Sequence, residues 1–270
     1  MTEMSRLLEI MARLRDPEGG CPWDRQQTYA SIVPHTLEEA YEVADAIERE
    51  DWAHLPDELG DLLFQVVFYA QIAREEGRFD FGDVAAAVSD KLVRRHPHVF
   101  GGQDFQSAEE QSRAWEAQKA EERAARQAGE GSGSALDDVA RTLPAVQRAG
   151  KLQERAERTG FEWPRDEDLF AKVDEELGEL RHEVEEEGPA ERVEHEVGDL
   201  LFAAVGLARR LGVDPETALR RSNDRFEERF RHMEGALRTE GRAMETQSLG
   251  ELKRLWRAAK AATGGGGAGE

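Results

Sequence analysis

Apolar residues recur along most of the chain at the spacing of one helix face. Leu7, Leu8, Ile10, Met11 and Leu14 form an i, i+3, i+4, i+7 stripe. Asp16-Pro-Glu-Gly-Gly-Cys-Pro-Trp-Asp24 interrupts it with two prolines and two glycines. Pro34 is suited to open the next helix at its first turn, where a missing N–H costs nothing. That helix carries Leu37, Tyr41, Val43, Ala44 and Ile47 on its apolar face. After a short connection from Asp51 to Leu55, Pro56 is suited to open a long helix ending near Gly77. A further helix fits Phe81 to Arg95, stopped by Arg95-His-Pro-His-Val-Phe-Gly-Gly102. Alternating strand patterns with turn signals are absent, so the pattern predicts an all-α protein.

The stretch from Ala108 to Gln127 reads as one solvated charged helix, and Gly129-Glu-Gly-Ser-Gly-Ser134 has the composition of a flexible linker. Helical periodicity resumes near Pro144, and the glycine-rich end from Gly264 to Glu270 is expected to be disordered. A search for internal repeats is the most informative step. Glu38-Glu39-Ala-Tyr-Glu42 matches Glu175-Glu176-Leu-Gly-Glu179, and Glu58-Leu-Gly-Asp61-Leu-Leu-Phe64 matches Glu196-Val-Gly-Asp199-Leu-Leu-Phe202, at offsets of 137 and 138 residues. Asp90-Lys91 with Arg95 corresponds to Asp224-Arg225 with Arg229, and Trp115 with Lys119 to Trp256 with Lys260. The expected organisation is a unit over 1–127, a linker over 128–135, a second unit over 136–263 and a tail over 264–270.

Residues at i, i+3 and i+4 share a helix face, so Glu39 and Glu42 project side by side, as do Glu58 and Asp61. Like charges at this spacing repel and gain from a cation. Oxygen ligands without thiolate or imidazole point to a hard ion, Mg²⁺ or Mn²⁺. If the two helices pack antiparallel, four carboxylates can face one another across the seam. A single E-E-x-x-E in a chain with 57 acidic residues is ordinary surface charge. The repetition at fixed spacing, and the apolar run Leu62-Leu63-Phe64-Gln65-Val66-Val67-Phe68 after the first E-x-x-D, argue otherwise. Gly60 and Gly198 sit mid-helix, where glycine costs about 1 kcal/mol against alanine. A close helix–helix approach beside the acids would explain them.

These motifs resemble the MazG family of all-α nucleoside triphosphate pyrophosphohydrolases, whose pattern is E-E-x-x-E, about 15 residues, then E-x-x-D. The resemblance extends to Gly20-Cys-Pro-Trp-Asp24, Arg94-Arg-His-Pro-His-Val-Phe100 and Lys151-Leu-Gln-Glu-Arg-Ala156, and the two-copy layout is that of the long bacterial form. It implies tandem four-helix-type units pairing into bundles, a homodimer, and hydrolysis of (d)NTP to (d)NMP and pyrophosphate in house-cleaning of nucleotide pools. By resemblance, Glu39, Glu42, Glu58 and Asp61 are Mg²⁺ ligands in the first copy, and Glu176, Glu179, Glu196 and Asp199 in the second. Glu38 and Glu175 are then the candidates to orient or deprotonate the attacking water. Asn223-Asp-Arg225-Phe-Glu-Glu-Arg229 resembles the family's phosphate-binding helix, with Arg225 in the lysine position. Lys91, Arg94 and Arg95 would be the first-copy equivalents, but Ser89 replaces the expected asparagine, which favours the second copy as the active one. Trp256 with Lys260, and Trp115 with Lys119, could stack on a base and touch phosphate, or simply belong to the core. Lys172 and Arg192, one turn before Glu176 and Glu196, could reach phosphate or form i, i+4 salt bridges.

Composition narrows the alternatives. Net charge is −21, with 34% charged and 39% hydrophobic residues, and a pI near 4.8 argues against direct nucleic-acid binding. One cysteine, Cys21, excludes a disulfide framework or thiolate cluster and suits a reducing cytosol. The start lacks the basic region and apolar run of a signal peptide, and no segment has the apolar length of a membrane helix, so a cytoplasmic protein is expected. There is no G-x-x-x-x-G-K-[ST] loop, since Gly150-Lys151 is followed by leucine. His96-Pro-His98 reads as a structural turn. Glu179-Leu-Arg-His182 matches the E-x-x-H of di-iron bundles, but the first copy has Glu42-Val-Ala-Asp45. The rival readings are a non-catalytic helical adaptor with a regulatory divalent-cation site, and a redox di-metal protein.

Overall fold

The computed structural model describes residues 2–102, 107, 110, 111, 114, 115, 118, 134–137, 139–163 and 165–264. Most of the expected charged helix over 108–127, most of the glycine-serine linker and the tail from 265 onward lie outside these residues. Regular structure among the described residues is helical throughout, eleven α-helices and one 3-10 turn. The chain divides into two compact units, Met1–Arg126 and Gln127–Glu270. The first holds α1 (Glu3–Leu14), α2 (Pro22–Gln26), α3 (Tyr29–Glu48), α4 (Leu55–Glu75), α5 (Phe81–Arg95) and α6 (Pro97–Phe100). The second holds α7 (Ala145–Glu157), α8 (Asp166–Glu185), α9 (Ala190–Arg210), α10 (Pro215–Thr239) and α11 (Leu249–Ala262). In each unit one long helix pair dominates, α3 with α4 and α8 with α9.

Local chemistry sets the helix ends. Asp80 and Asp83 form a reciprocal capping box at the start of α5, and Asp214 and Ser248 cap α10 and α11. Gly77, Gly212 and Gly241 take positive φ just beyond α4, α9 and α10, closing them with backbone bonds such as Arg78 N–H to the Ala73 carbonyl, 2.9 Å. The helix expected to open at Pro34 begins instead at Tyr29. Thr28 accepts from the Ser31 amide (3.2 Å), and the Ser31 hydroxyl accepts from the Thr28 amide (2.8 Å). That box satisfies two orphan donors, which outweighs the one helical bond that Pro34 cannot make.

Gly60 and Gly198 do not mark a close approach. A Cβ built at either would meet nothing within 4 Å, and both residues are exposed. The tight contact lies elsewhere: a Cβ on Gly150 of α7 would stand 3.3 Å from Arg209 Cδ, and one on Gly206 of α9 would stand 3.3 Å from the Gln153 amide. Alanine would crowd these positions, so glycine lets α7 lie closely across α9.

The core of the first unit is Met11, Ile32, Val67, Phe68 and Ile72, joining α1, α3 and α4. Arg15 closes it: the guanidinium lies 5.4 Å from the centre of the Phe68 ring, donates to the Asp24 carbonyl at 2.6 Å and pairs with Glu75 at 2.7 Å. In the second unit, Met233, Leu237, Leu255 and Ala259 form a core between α10 and α11. Phe68 is fully buried, so Phe68→Ala is expected to cost the first unit about 3–5 kcal/mol. Native-state hydrogen exchange of the α1 and α4 amides measures this. A loss below about 1 kcal/mol would contradict the packing described.

Candidate active site

The acidic repeats lie where the two long helices of each unit face one another. On α3 and α4, carboxylate oxygens of Glu39, Glu58 and Asp61 lie within 4.8 Å of one another. Glu42 stands beside Glu39. Burial, followed by the charges of Asp61, Glu42 and Glu38, pushes the Glu39 carboxyl above the ordinary range. On α8 and α9, oxygens of Glu176, Glu179 and Glu196 lie within the same 4.8 Å. A second group of three joins Glu196 to Asp199 and His195. Glu196 is shared, so the four predicted acids of this copy form one continuous seam.

Glu176 is only 5% exposed, an unusual position for a carboxylate. Its counter-charge is Lys172, whose ammonium lies 2.7 Å from Glu176 Oε1 and 2.8 Å from Glu175 Oε1. These contacts hold the Lys172 pKa above its ordinary value. Glu179 is pushed above the carboxylate range by desolvation first, and then by Glu176, Glu196 and Glu175. Glu196 Oε2 is buried without a hydrogen-bond partner. A buried carboxylate oxygen without a partner and mutually repelling carboxylates fit a divalent cation, which supplies the missing positive charge. The donor set is oxygen-rich, with one imidazole at its edge.

A cavity of about 720 Å³ opens from this seam in the second unit. Lys172, Glu176 and Asp199 line it together with Phe161, Trp163 and Phe202. Ala203 and Gly206 contribute its small-residue wall. Arg209, ten residues after Asp199 and so about 15 Å further along α9, also lines it and is held by Glu157 through two contacts of 2.9 Å. The repeat offset gives the first-copy counterparts of Ala203 and Gly206 as Gln65 and Phe68. Both are buried, and the Gln65 amide donates to Glu39 Oε1 at 3.5 Å.

The other predicted residues stand apart from this cavity. Asn223 and Arg225 are exposed on α10, and none of Asn223, Arg225, Arg229, Trp256 and Lys260 lines the cavity. Trp256 is partly buried against the α10–α11 core, with the Arg229 guanidinium 5.9 Å from its ring centre. In the first unit, Lys91, Arg94 and Arg95 lie on α5, the Arg95 guanidinium lies 5.8 Å from the ring centre of Trp115, and Lys119 falls outside the described residues. Arg192 does not form the expected i, i+4 bridge to Glu196. It pairs across the seam with Glu183 at 3.3 Å, whose side chain is largely buried. Glu38 is exposed, 3.8 Å from His35.

Residues 27–100 and 165–234 match the family model of the MazG nucleotide pyrophosphohydrolase domain. The chain belongs to the MazG family. It is 50% identical over 264 residues to the nucleoside triphosphate pyrophosphohydrolase of Escherichia coli strain K12, covering 96% of this chain and 98% of that one. It is 42% identical over 254 residues to the nucleoside triphosphate pyrophosphohydrolase/pyrophosphatase MazG of Thermotoga maritima, covering 94% of each. A nucleoside triphosphate pyrophosphohydrolase of Mycobacterium tuberculosis is 38% identical over 158 residues, 58% of this chain and 46% of that protein.

Both MazG segments contain an acid seam, and the second contains two features that the motif reading missed. His195 was hidden because its first-copy counterpart is Asp57, so it falls outside the repeated pattern. The cavity was legible in principle, as the exchange of Gln65 and Phe68 for Ala203 and Gly206 at matched positions. The raised pKa of Glu179 carries a sign. A carboxyl raised in the folded state supports folding below its ordinary value of 4.5 and loses that support as pH rises through the raised value. Without divalent ions, Glu179→Gln is therefore expected to melt above the parent chain at pH 7, with the difference closing near pH 4. Thermal melts in chelator across that range measure it; a less stable Glu179→Gln at pH 7 would contradict it.

Proposed function

We infer that the chain hydrolyses nucleoside triphosphates to monophosphates and pyrophosphate at the α8–α9 seam, with Mg²⁺ as the working ion and Mn²⁺ as a substitute. The observation that carries this reading is the single cavity shared by Glu176, Asp199 and Lys172 at one part and aromatic side chains at another. Phosphates and a base need those two environments side by side. Family membership, and the nucleoside triphosphate pyrophosphohydrolase activity for which the E. coli and T. maritima relatives are named, support the reaction.

Glu176, Glu179, Glu196 and Asp199 would hold the cation, as Glu39, Glu42, Glu58 and Asp61 would in the first copy. When bound, the ion neutralises phosphate oxygens and acidifies a coordinated water. Glu175, adjacent to the seam and half-exposed, orients the attacking water toward the α-phosphorus and takes its proton, and Glu38 is its counterpart. The bond from α-phosphorus to the bridging oxygen breaks, and pyrophosphate leaves. Lys172, paired with Glu176 at 2.7 Å, would meet a phosphate oxygen if a cation took its place beside Glu176. Asn223, Arg225 and Arg229 supply further phosphate contacts in an assembled homodimer, with Trp256 and Lys260 beside them. Exposed apolar side chains on α9 and α10, such as Leu201 and Phe226, support burial against a second copy. The physiological role is house-cleaning of nucleotide pools in the cytoplasm. Among the described residues no helix is long and apolar enough to cross a membrane.

The second copy is the active one on this reading, because its seam opens into a cavity with Ala203 in the wall, whereas the matched Gln65 is buried against Glu39 in the first copy. ³¹P NMR of a mixed NTP and dNTP pool with Mg²⁺ is expected to show monophosphate and pyrophosphate with the parent chain and with Glu39→Ala, and neither with Glu176→Ala. No turnover would overturn the pyrophosphohydrolase reading in favour of a cation-regulated adaptor, and release of orthophosphate would overturn it in favour of cleavage at the terminal phosphate. Ala203→Gln, which copies the first unit's residue, is expected to lower kcat/KM by about a hundredfold with the helical circular dichroism unchanged. Unchanged kinetics would remove the cavity from the substrate path.

A further inference from the structure

The two copies differ at the edge of their acid seams. His195 Nδ1 lies 3.2 Å from Asp199 Oδ2 and 3.5 Å from Glu196 Oε1, and the three side chains form a compact group of their own. Neighbouring ligands of an octahedral ion with bonds of about 2.1 Å stand about 3.0 Å apart, so these atoms already have nearly the spacing that one ion requires. The same Glu196 carries the buried oxygen without a partner, Oε2. His195 itself is 72% exposed at the side chain, so it is neither fixed by core packing nor needed for it. In the first copy the corresponding residue is Asp57, and the group there is Glu39, Glu58 and Asp61, all oxygen.

We propose that His195 is a nitrogen ligand of the C-terminal cation site, acting with Glu196 and Asp199, so that this copy binds a transition-metal ion of the Mn²⁺ class more tightly relative to Mg²⁺ than the first copy does, with Mg²⁺ remaining the working ion through its abundance. The chemistry follows from ligand type. Carboxylates alone suit Mg²⁺, Ca²⁺ and Mn²⁺, whereas imidazole adds a borderline donor whose bonds to Mn²⁺, Fe²⁺ or Co²⁺ are stronger than to Mg²⁺. The i, i+4 relation of His195 to Asp199 puts both donors on one face of α9, and Glu196 brings the seam to them. The second copy thereby discriminates between ions that the first treats alike. The proposal rests on the seam being a cation site, and that premise is tested separately in the same experiment.

The probe is Mn²⁺ itself, added to the full chain carrying Glu39→Gln and Glu58→Gln so that the N-terminal seam is silent. Titration followed by electron paramagnetic resonance counts bound Mn²⁺, and three-pulse electron spin echo envelope modulation reports whether a ligand is nitrogen. The expected result is bound Mn²⁺ with ¹⁴N modulation that disappears in His195→Asn and persists in His182→Asn. His182 is the control because it lines the surface beside Glu179 and Glu196. Competition between Mn²⁺ and Mg²⁺ is expected to lose about tenfold of its Mn²⁺ preference in His195→Asn, the scale on which even outer partners of a ligand act. Bound Mn²⁺ without nitrogen modulation, or modulation surviving in His195→Asn, would overturn the role of His195 while leaving the cation site standing. Failure to bind Mn²⁺ at all would overturn both.

Discussion

Repulsion between carboxylates across a two-helix seam is the interaction around which each unit is organised. Helical periodicity puts Glu176 and Glu179 on one face of α8, and Glu196 and Asp199 on one face of α9, and the packing of the two helices turns those faces together. Glu176 is buried and leans on Lys172, while Glu179 is driven toward protonation. A protein that needed only a stable helix pair would gain by placing apolar side chains there, since unpaired buried charge is costly. The arrangement makes physical sense when a divalent ion completes it, and Lys172 is the resident cation in its absence.

Duplication explains the rest of the architecture. Both units keep the acid seam at matched spacing, but the surroundings of the two seams have diverged in opposite directions. In the first, Phe68 anchors a core with Met11 and Ile32, and Arg15 seals it against Glu75 and the backbone of Asp24. In the second, Gly206 lets α7 approach α9, and the space beside Ala203 opens toward Phe161 and Trp163. One copy has been invested in packing, the other in a cavity.

Much of this was legible before any coordinates. The helices, the repeat and the eight seam acids follow from periodicity and spacing, because side chains on one helix face are fixed by the geometry of the helix alone. Helix starts were less legible: Pro34 offers a plausible opening, yet the Thr28–Ser31 capping box satisfies more backbone groups and wins. Gly60 and Gly198 misled for a different reason. Mid-helix glycine signals either a close neighbour or exposure without consequence, and only tertiary packing shows that Gly150 and Gly206 are the contacting pair. Arg192 pairing with Glu183 instead of Glu196 is likewise a cross-helix event that no single-helix rule contains.

Nucleotide binding is expected at the second acid seam alone, because among the described residues that seam opens into a cavity with aromatic walls, whereas Gln65 and Phe68 are buried at the matched first-copy positions. The most direct test is the binding stoichiometry of a non-hydrolysable nucleoside triphosphate analogue, measured by isothermal titration calorimetry with Mg²⁺ and again in chelator. One nucleotide per chain, with binding lost in chelator, is the expected result. Two per chain, or binding that survives chelation, would contradict it.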